Sequence, residues 1–115
     1  MAKQPKVALV HEWLVTLRGG ERVLEVGTGS GYSTAILALL GGEVISIERH
    51  AELADGARVA LAGLELPGAG RVEIRVGDGS LGAPDRAPFE AIAVHATAPA
   101  PPPALIDQLA PIAAG

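Results

Sequence analysis

The 115-residue sequence contains no cysteine, which excludes disulfides, thiolate metal sites and cysteine nucleophiles. Aromatic residues are nearly missing as well: there is one Trp, one Tyr and one Phe, although 49% of the residues are hydrophobic. The core must therefore be built mainly from Ala, Val, Leu and Ile. Such aliphatic side chains suit parallel strands that are covered by helices.

The sequence also lacks clustered positive charge and long apolar runs. Its net charge is -4 and it has no block of Lys or Arg, which argues against nucleic acid or an anionic membrane as a partner. The apolar stretch "STAILALL" is too short to span a bilayer, and the N-terminus lacks the long apolar segment of a signal peptide. The chain is predicted to be soluble and, by default, cytoplasmic.

Apolar runs bounded by Gly, Pro and charged residues predict strands and helices in alternation. The predicted strands cover residues 7–10, 23–26, 43–48, 71–76 and 89–96, and the predicted helices cover residues 32–40, 51–66 and 103–109. Gly41 and Gly42 are expected to end the first helix. The second helix is expected to place most of its apolar residues on one face, namely Leu53, Ala57, Val59, Ala60, Leu61 and Leu64.

This alternation indicates βαβ units with right-handed crossovers and a mainly parallel sheet covered on both faces. The predicted fold class is α/β, Rossmann-like, in a single domain over residues 1–115. In such sheets ligands bind at the carboxyl ends of the strands, so residues that follow a predicted strand are the candidates for a site.

The segment between the second strand and the first helix reads Gly27-Thr28-Gly29-Ser30-Gly31. Its spacing differs from the dinucleotide fingerprint G-x-G-x-x-G, because Tyr32 occupies the position of the third glycine. A phosphate-binding P-loop is also excluded, since no Lys follows the glycines. A tight strand-helix turn without a ligand remains the alternative explanation.

The G-x-G-x-G spacing after an acidic-apolar strand resembles motif I of S-adenosylmethionine-dependent methyltransferases. The resemblance is closer to the protein-L-isoaspartate O-methyltransferase family over about residues 22–109. It is carried by "RVLEVGTGSGYSTAILALL", "VISIERHAELADGAR", "IRVGDGS" and "APFEAIAVHATAPAPPPALIDQL". The family methylates the α-carboxyl group of isoaspartyl residues, with S-adenosylmethionine as the methyl donor, on a Rossmann-like fold.

The resemblance implies a set of cofactor contacts at three strand ends. Glu48 is expected to accept hydrogen bonds from both ribose hydroxyls, and Asp78 from the adenine amino group, with Gly79 keeping the approach open. A solvated acid at a strand end and an ordinary Gly-Asp-Gly turn are the respective alternatives. The full predicted set is Gly27, Thr28, Gly29, Ser30, Gly31, Tyr32, Glu48, Arg49, Asp78 and Gly79.

Other polar residues receive simpler interpretations. His11, His50 and His95 lie at the ends of three predicted strands, but no i,i+4 pair or carboxylate partner supports a metal site, so no metal is predicted. Ser33 and Thr34 are interpreted as residues that stabilise the helix N-terminus, and no catalytic residue is assigned.

The chain also departs from the family pattern. The family's long N-terminal region and last strands have no counterpart, and "AIAVHATAP" places His95 and Thr97 where the family tends to read "AIxVTAAAP". Residues 1–21 instead resemble the opening strand and loop of glycosyltransferases with two Rossmann-like domains. A chimera is therefore predicted, in which strand 7–10 covers an exposed sheet edge. If it fails to do so, a homodimer formed by strand exchange is expected.

The resulting functional prediction is an S-adenosylmethionine-binding domain that is catalytically weak or inactive. Methyl transfer requires the donor and the acceptor to be held in line, and the residues that position the acceptor are the ones without a counterpart. Two alternatives remain open. The first is an active small methyltransferase that acts on protein carboxylates, and the second is an engineered folding or assembly unit without a ligand.

Overall fold

The computed structural model describes residues 7–9, 22–40, 42–65, 71–95 and 102–110. The strands are β1 (Val7–Leu9), β2 (Arg22–Val26), β3 (Glu43–Glu48), β4 (Arg71–Val76) and β5 (Ala91–Val94). The α-helices are α1 (Tyr32–Leu39), α2 (Ala51–Ala62) and α3 (Pro103–Asp107), and two 3₁₀ turns cover Gly79–Leu81 and Pro84–Arg86. No helix in these ranges is long and apolar enough to cross a membrane.

The five strands form one parallel sheet in the order β1-β5-β2-β3-β4. The predicted α/β class is confirmed, and each strand prediction agrees with the structure to within a few residues at its ends. β1 pairs with β5, with Val7 opposite Ile92, so the N-terminal strand covers that edge of the sheet within one chain. Residues 10–21, including His11, lie outside the described residues.

Small aliphatic side chains form the core on both faces of the sheet, as the composition predicts. On one face Leu24, Ile45 and Ile92 are fully buried and pack with Phe89, from the loop before β5, and Leu105 of α3. On the other face the cluster contains α1 and strand residues, namely Val23, Leu37, Ala38, Val44 and Ala91. Alternate residues of each strand thus point to opposite faces, and helices cover both.

The predicted apolar face of α2 is wrong in part. The buried residues of α2 are Ala54 and Ala57, whereas Val59 is 78% exposed and Leu53 is 47% exposed. Leu64 lies beyond the helix and is also exposed. The small residues face inward because α2 lies very close to the glycine loop: a Cβ placed on Gly31 would be 3.1 Å from the Ala57 Cβ. A larger side chain at Ala57 would prevent this approach.

Candidate functional site

A cleft of about 560 Å³ lies at the carboxyl ends of β5, β2, β3 and β4. Six of the ten predicted site residues line it: Gly27, Gly29, Glu48, Arg49, Asp78 and Gly79. The structure therefore brings the glycine loop and both acidic strand ends together. The other four, Thr28, Ser30, Gly31 and Tyr32, are not among the residues that line the cleft.

All three loop glycines have backbone conformations that L side chains rarely adopt. The φ angles are 97° at Gly27, 55° at Gly29 and 88° at Gly31. Packing adds a second constraint at two of them, because a Cβ at Gly27 would lie 3.2 Å from His95 and one at Gly31 would lie 3.1 Å from Ala57. A tight strand-helix turn is therefore sufficient to explain why Gly27 and Gly31 are glycines, without any ligand.

Gly29 is different, because a Cβ built on it would meet no atom of the described residues within 4 Å. Its backbone N–H donates to Oε1 of Glu48 at 2.9 Å, which fixes the loop against β3. Gly29 is also one of the residues that line the cleft. A group bound there can approach the backbone closely, which is the property that the glycine spacing predicts.

The remaining predicted loop residues lie to either side of this opening. Thr28 is buried, and its hydroxyl oxygen lies 2.6 Å from that of Ser46. Ser30 is exposed, and Tyr32 begins α1 with 75% of its surface exposed. Thr28 thus connects the loop to the sheet, while Ser30 and Tyr32 lie outside the cleft.

Glu48 is a buried carboxylate whose two oxygens each accept one backbone hydrogen bond. Oε1 accepts from Gly29 N and Oε2 accepts from His50 N, both at 2.9 Å. Burial raises the pKa of Glu48, but the hydrogen bonds from the Gly29 and His50 backbone, together with the nearby His50 charge and the Arg49 backbone, hold the pKa below its ordinary value of 4.5. Each carboxylate oxygen keeps a further acceptor site, so Glu48 can still accept two hydroxyl groups from a ligand.

This environment makes the Glu48 contribution to folding pH-dependent. Because the folded-state pKa is lowered, the stabilisation is fully present above about pH 4.5 and is lost as the pH falls through the lower folded-state value. We expect the stability of Glu48→Gln to differ less from the wild type at pH 3.5 than at pH 7. Urea unfolding of both proteins at the two pH values measures this, and an equal difference at both would contradict it.

Asp78 precedes the first 3₁₀ turn and stabilises its start. Oδ1 accepts from the backbone N–H of Ser80 at 2.9 Å and from its hydroxyl at 2.7 Å, and these bonds lower the pKa of Asp78. Oδ2 has no hydrogen-bond partner among the described residues. The alternative interpretation of the Gly-Asp-Gly segment as an ordinary turn therefore agrees with the structure. One oxygen of the ionised Asp78 carboxylate remains available to a ligand.

Gly79 lies against the end of β2, where a Cβ would be 2.3 Å from Cγ1 of Val26. Its hydrogen therefore faces Val26, and close packing of the 3₁₀ turn requires glycine there. Gly79→Ala is expected to force a shift of Val26 and to destabilise the fold by about 1–3 kcal/mol. Chemical denaturation measures the change, and Gly56→Ala, in the open middle of α2, is the control that should stabilise the chain instead.

Glu25 carries no sequence signal of a functional role, yet its carboxylate is the polar centre of the region beneath the glycine loop. Glu25 is fully buried in the middle of β2. It accepts hydrogen bonds from the hydroxyls of Thr34 and Ser46, the latter at 2.7 Å, and lies 2.9 Å from Nε2 of His95. Ser46 also contacts Thr28, so this network connects the loop, α1, β3 and β5.

The interpretations of Ser33, Thr34 and His95 require correction. The residue before α1 is Gly31, and no side chain caps the helix. Thr34 instead donates to Glu25, and the Ser33 hydroxyl lies 3.2 Å from Nε2 of His95. His95 has a carboxylate partner that the sequence did not reveal, because Glu25 lies 70 positions away.

The cleft has further lining residues that were not predicted: Val26, Ile47, His50, Leu53, Ser80, Val94, His95, Pro102 and Leu105. His50 and Ser80 directly follow the predicted residues Arg49 and Gly79, so a rule that included the next position would have found them. His95 directly follows β5, a strand end to which no predicted site residue belongs. Pro102 and Leu105 come from the start of α3, for which the sequence carries no such signal.

The profile of the Protein-L-isoaspartate(D-aspartate) O-methyltransferase (PCMT) family matches residues 2–112. The chain is 56% identical over 108 residues to a protein-L-isoaspartate O-methyltransferase of Anaeromyxobacter dehalogenans, covering 94% of this chain and 51% of that protein. The chain therefore spans about half the length of this curated relative.

Solved structures agree with the sequence comparison. A protein-L-isoaspartate O-methyltransferase superimposes with a TM-score of 0.69 at 30% identity, over 80% of this chain and 29% of the other. A mutant of MtNAS in complex with S-adenosylmethionine gives a TM-score of 0.57 at 28% identity, over 70% and 30% of the two chains.

The family match begins at residue 2, so it includes the segment that resembles glycosyltransferases. The comparisons give no support to a separate origin for residues 1–21 or to a chimera. From the matched profile, the relatives and the parallel sheet with its cleft at the strand ends, the chain belongs to the protein-L-isoaspartate(D-aspartate) O-methyltransferase family.

Proposed function

We propose that the cleft binds S-adenosylmethionine, and that the described part of the chain is the cofactor-binding part of an isoaspartate-type methyltransferase. The observation that carries this proposal is the pairing of Gly29 with Glu48. An open space faces the Gly29 backbone, and an ionised carboxylate with unused acceptor sites lies beside it. A ribose needs this combination, because it presents two hydroxyl donors and must approach the backbone closely.

The order of the strand ends supports one orientation of the cofactor. Asp78 follows β4 and is assigned to the adenine amino group, and Glu48 follows the neighbouring β3 and is assigned to the ribose. The glycine loop follows β2, the next strand across the sheet, and would contact the methionine part. Neighbouring strands lie about 4.8 Å apart, so an extended ligand crosses them in this order.

Calorimetric titration with S-adenosylmethionine and S-adenosylhomocysteine tests the proposal. We expect both ligands to bind, and we expect Gly29→Val to lose binding because its side chain would fill the open space and strain a left-handed residue. Gly63→Val is the matched control, since Gly63 ends α2 with an ordinary φ of -85° and open surroundings. No binding at millimolar ligand, or unchanged binding by Gly29→Val, would contradict the proposal.

Methyl transfer to an isoaspartyl peptide is expected to be weak or absent. Among the described cleft residues, we assign the glycine loop, Glu48 and Asp78 to the cofactor and none to the acceptor, and an efficient reaction also needs the acceptor carboxylate held in line with the methyl group. A transfer assay with radiolabelled S-adenosylmethionine measures this. Clear turnover would favour the alternative of an active small methyltransferase on protein carboxylates.

A further inference from the structure

His95 is placed where it separates a buried negative charge from the cleft. It directly follows β5, and its backbone N–H donates to the Val26 carbonyl at 2.9 Å, which fixes its position beside the end of β2. Its side chain is 24% exposed and contacts Glu25, whose side chain is fully buried, while His95 itself lines the cleft. A change of charge on His95 therefore acts on the cleft directly.

The hydrogen bond to Glu25 assigns the proton on the neutral ring. Nε2 of His95 lies 2.9 Å from Oε2 of Glu25, and with the Glu25 carboxylate as the acceptor Nε2 is the atom that carries the proton and donates. Neutral His95 then has its lone pair on Nδ1, and a second proton adds there. The pair carries one net negative charge when His95 is neutral and none when it is protonated.

In the proposed orientation of the cofactor, the sulfur atom would lie near this pair. With adenine at Asp78 and ribose at Glu48, the remaining methionine part would extend over the loop after β2 toward β5, where His95 lies. S-adenosylmethionine carries a sulfonium cation at this sulfur, whereas S-adenosylhomocysteine carries a neutral thioether. The two ligands therefore differ by one positive charge at the end of the cleft that His95 occupies.

We propose that His95 determines the preference of the cleft for S-adenosylmethionine over S-adenosylhomocysteine through its charge, an inference that rests on the proposed function. Neutral His95 leaves the Glu25 charge to attract the sulfonium. Protonated His95 cancels that attraction and places a cation near the sulfonium, while the neutral thioether is nearly unaffected. The site then favours the methyl donor when His95 is neutral and loses this preference when His95 is protonated.

Among the described residues, the other charged groups around the cleft do not reproduce this behaviour. Glu48 and Asp78 remain ionised well below neutral pH, because backbone and side-chain hydrogen bonds lower the pKa of each carboxyl. Arg49 is the other charged residue that lines this part of the cleft. Ser33, which contacts His95 from α1, carries no charge. His50 is the other histidine of the cleft, and it lies beside Glu48 at the ribose end.

The test measures the dissociation constants of both ligands at pH 5.5 and pH 8.0 by calorimetry. Imidazole side chains change charge in this range, and one unit charge at moderate distance in a partly screened site changes affinity by about tenfold. We therefore expect the ratio of the S-adenosylmethionine constant to the S-adenosylhomocysteine constant to fall by about tenfold between pH 5.5 and pH 8.0 in the wild type.

Two substitutions fix the charge at this position, and a third serves as a control. His95→Gln is expected to hold the ratio near its high-pH value, and His95→Lys near its low-pH value, at both pH values. His50→Gln should retain most of the pH dependence of the ratio. Circular dichroism and thermal melting of each variant establish that it is folded. Because His95→Gln and His95→Lys are expected to hold the ratio of dissociation constants at opposite values, a general loss of affinity cannot produce both results.

Each outcome decides between the two proposals. The role of His95 is overturned if the wild-type ratio of dissociation constants is independent of pH, or if its pH dependence survives in His95→Gln. In either case, binding of the two ligands to the wild type still supports the proposed function. Loss of the pH dependence in His50→Gln also overturns the role of His95. Failure of both ligands to bind the wild type at either pH overturns both proposals together.

Discussion

Replacing Glu25 by alanine is expected to destabilise the protein by about 3–5 kcal/mol. The substitution removes the acceptor of three side chains and leaves a cavity in the middle of β2, where Glu25 is fully buried. This is a large part of the stability of a domain of this size. Urea unfolding followed by circular dichroism measures the change.

Glu25→Gln is the conservative comparison and should cost less than half as much. The hydroxyls of Thr34 and Ser46 can rotate to accept from the new amide, and the amide oxygen can still accept from His95. Glu65→Ala, at an exposed position after α2, should change stability by no more than about 0.5 kcal/mol. If Glu25→Ala were as stable as Glu65→Ala, the network beneath the loop would have no structural role.

Replacing Glu48 by alanine is expected to reduce the affinity for S-adenosylmethionine at least about a hundredfold. Two hydrogen bonds to an ionised acceptor contribute about 1.5–3 kcal/mol each, and the variant also releases the Gly29 N–H that positions the loop. Glu48→Gln keeps one acceptor oxygen and should lose about tenfold. Calorimetric titration of the wild type and both variants measures these changes.

Glu43→Ala is the matched control, because Glu43 is the first residue of the same strand and lies at its opposite end. It forms ion pairs with Arg22, at 3.4 Å, and with Arg86. We expect this variant to melt at a lower temperature and to bind the cofactor as the wild type does. Equal losses of affinity in the Glu43 and Glu48 variants would indicate a general effect of stability and would argue against a direct contact.

The strands and the position of the cleft could be predicted because they depend on local signals. Apolar runs end at Val26, Ile47 and Val76, and each is followed by a glycine or an acidic residue at the edge of a parallel sheet. The spacing of the loop glycines also carried correct information about the backbone, since all three have positive φ angles. These features require no knowledge of distant partners.

The buried network could not be predicted, because its partners come from four elements. Glu25 lies 9, 21 and 70 positions from Thr34, Ser46 and His95, respectively. In sequence it is one acidic residue in an apolar strand, with no pattern that indicates burial. The face of α2 was missed for a related reason: its Ala, Leu and Val residues are all apolar, so only the close approach to Gly31 selects Ala57 as a contact.

A titration of the ¹⁵N-labelled protein with S-adenosylhomocysteine, followed by two-dimensional NMR, tests the cleft most directly. We expect the amide signals of six residues that line the cleft to shift with ligand concentration, namely Gly27, Gly29, Glu48, Arg49, Asp78 and Gly79. The amides of Glu43 and Arg71, at the amino ends of β3 and β4, should stay in place. Shifts confined to the amino ends of the strands, or no shifts at millimolar ligand, would contradict this expectation.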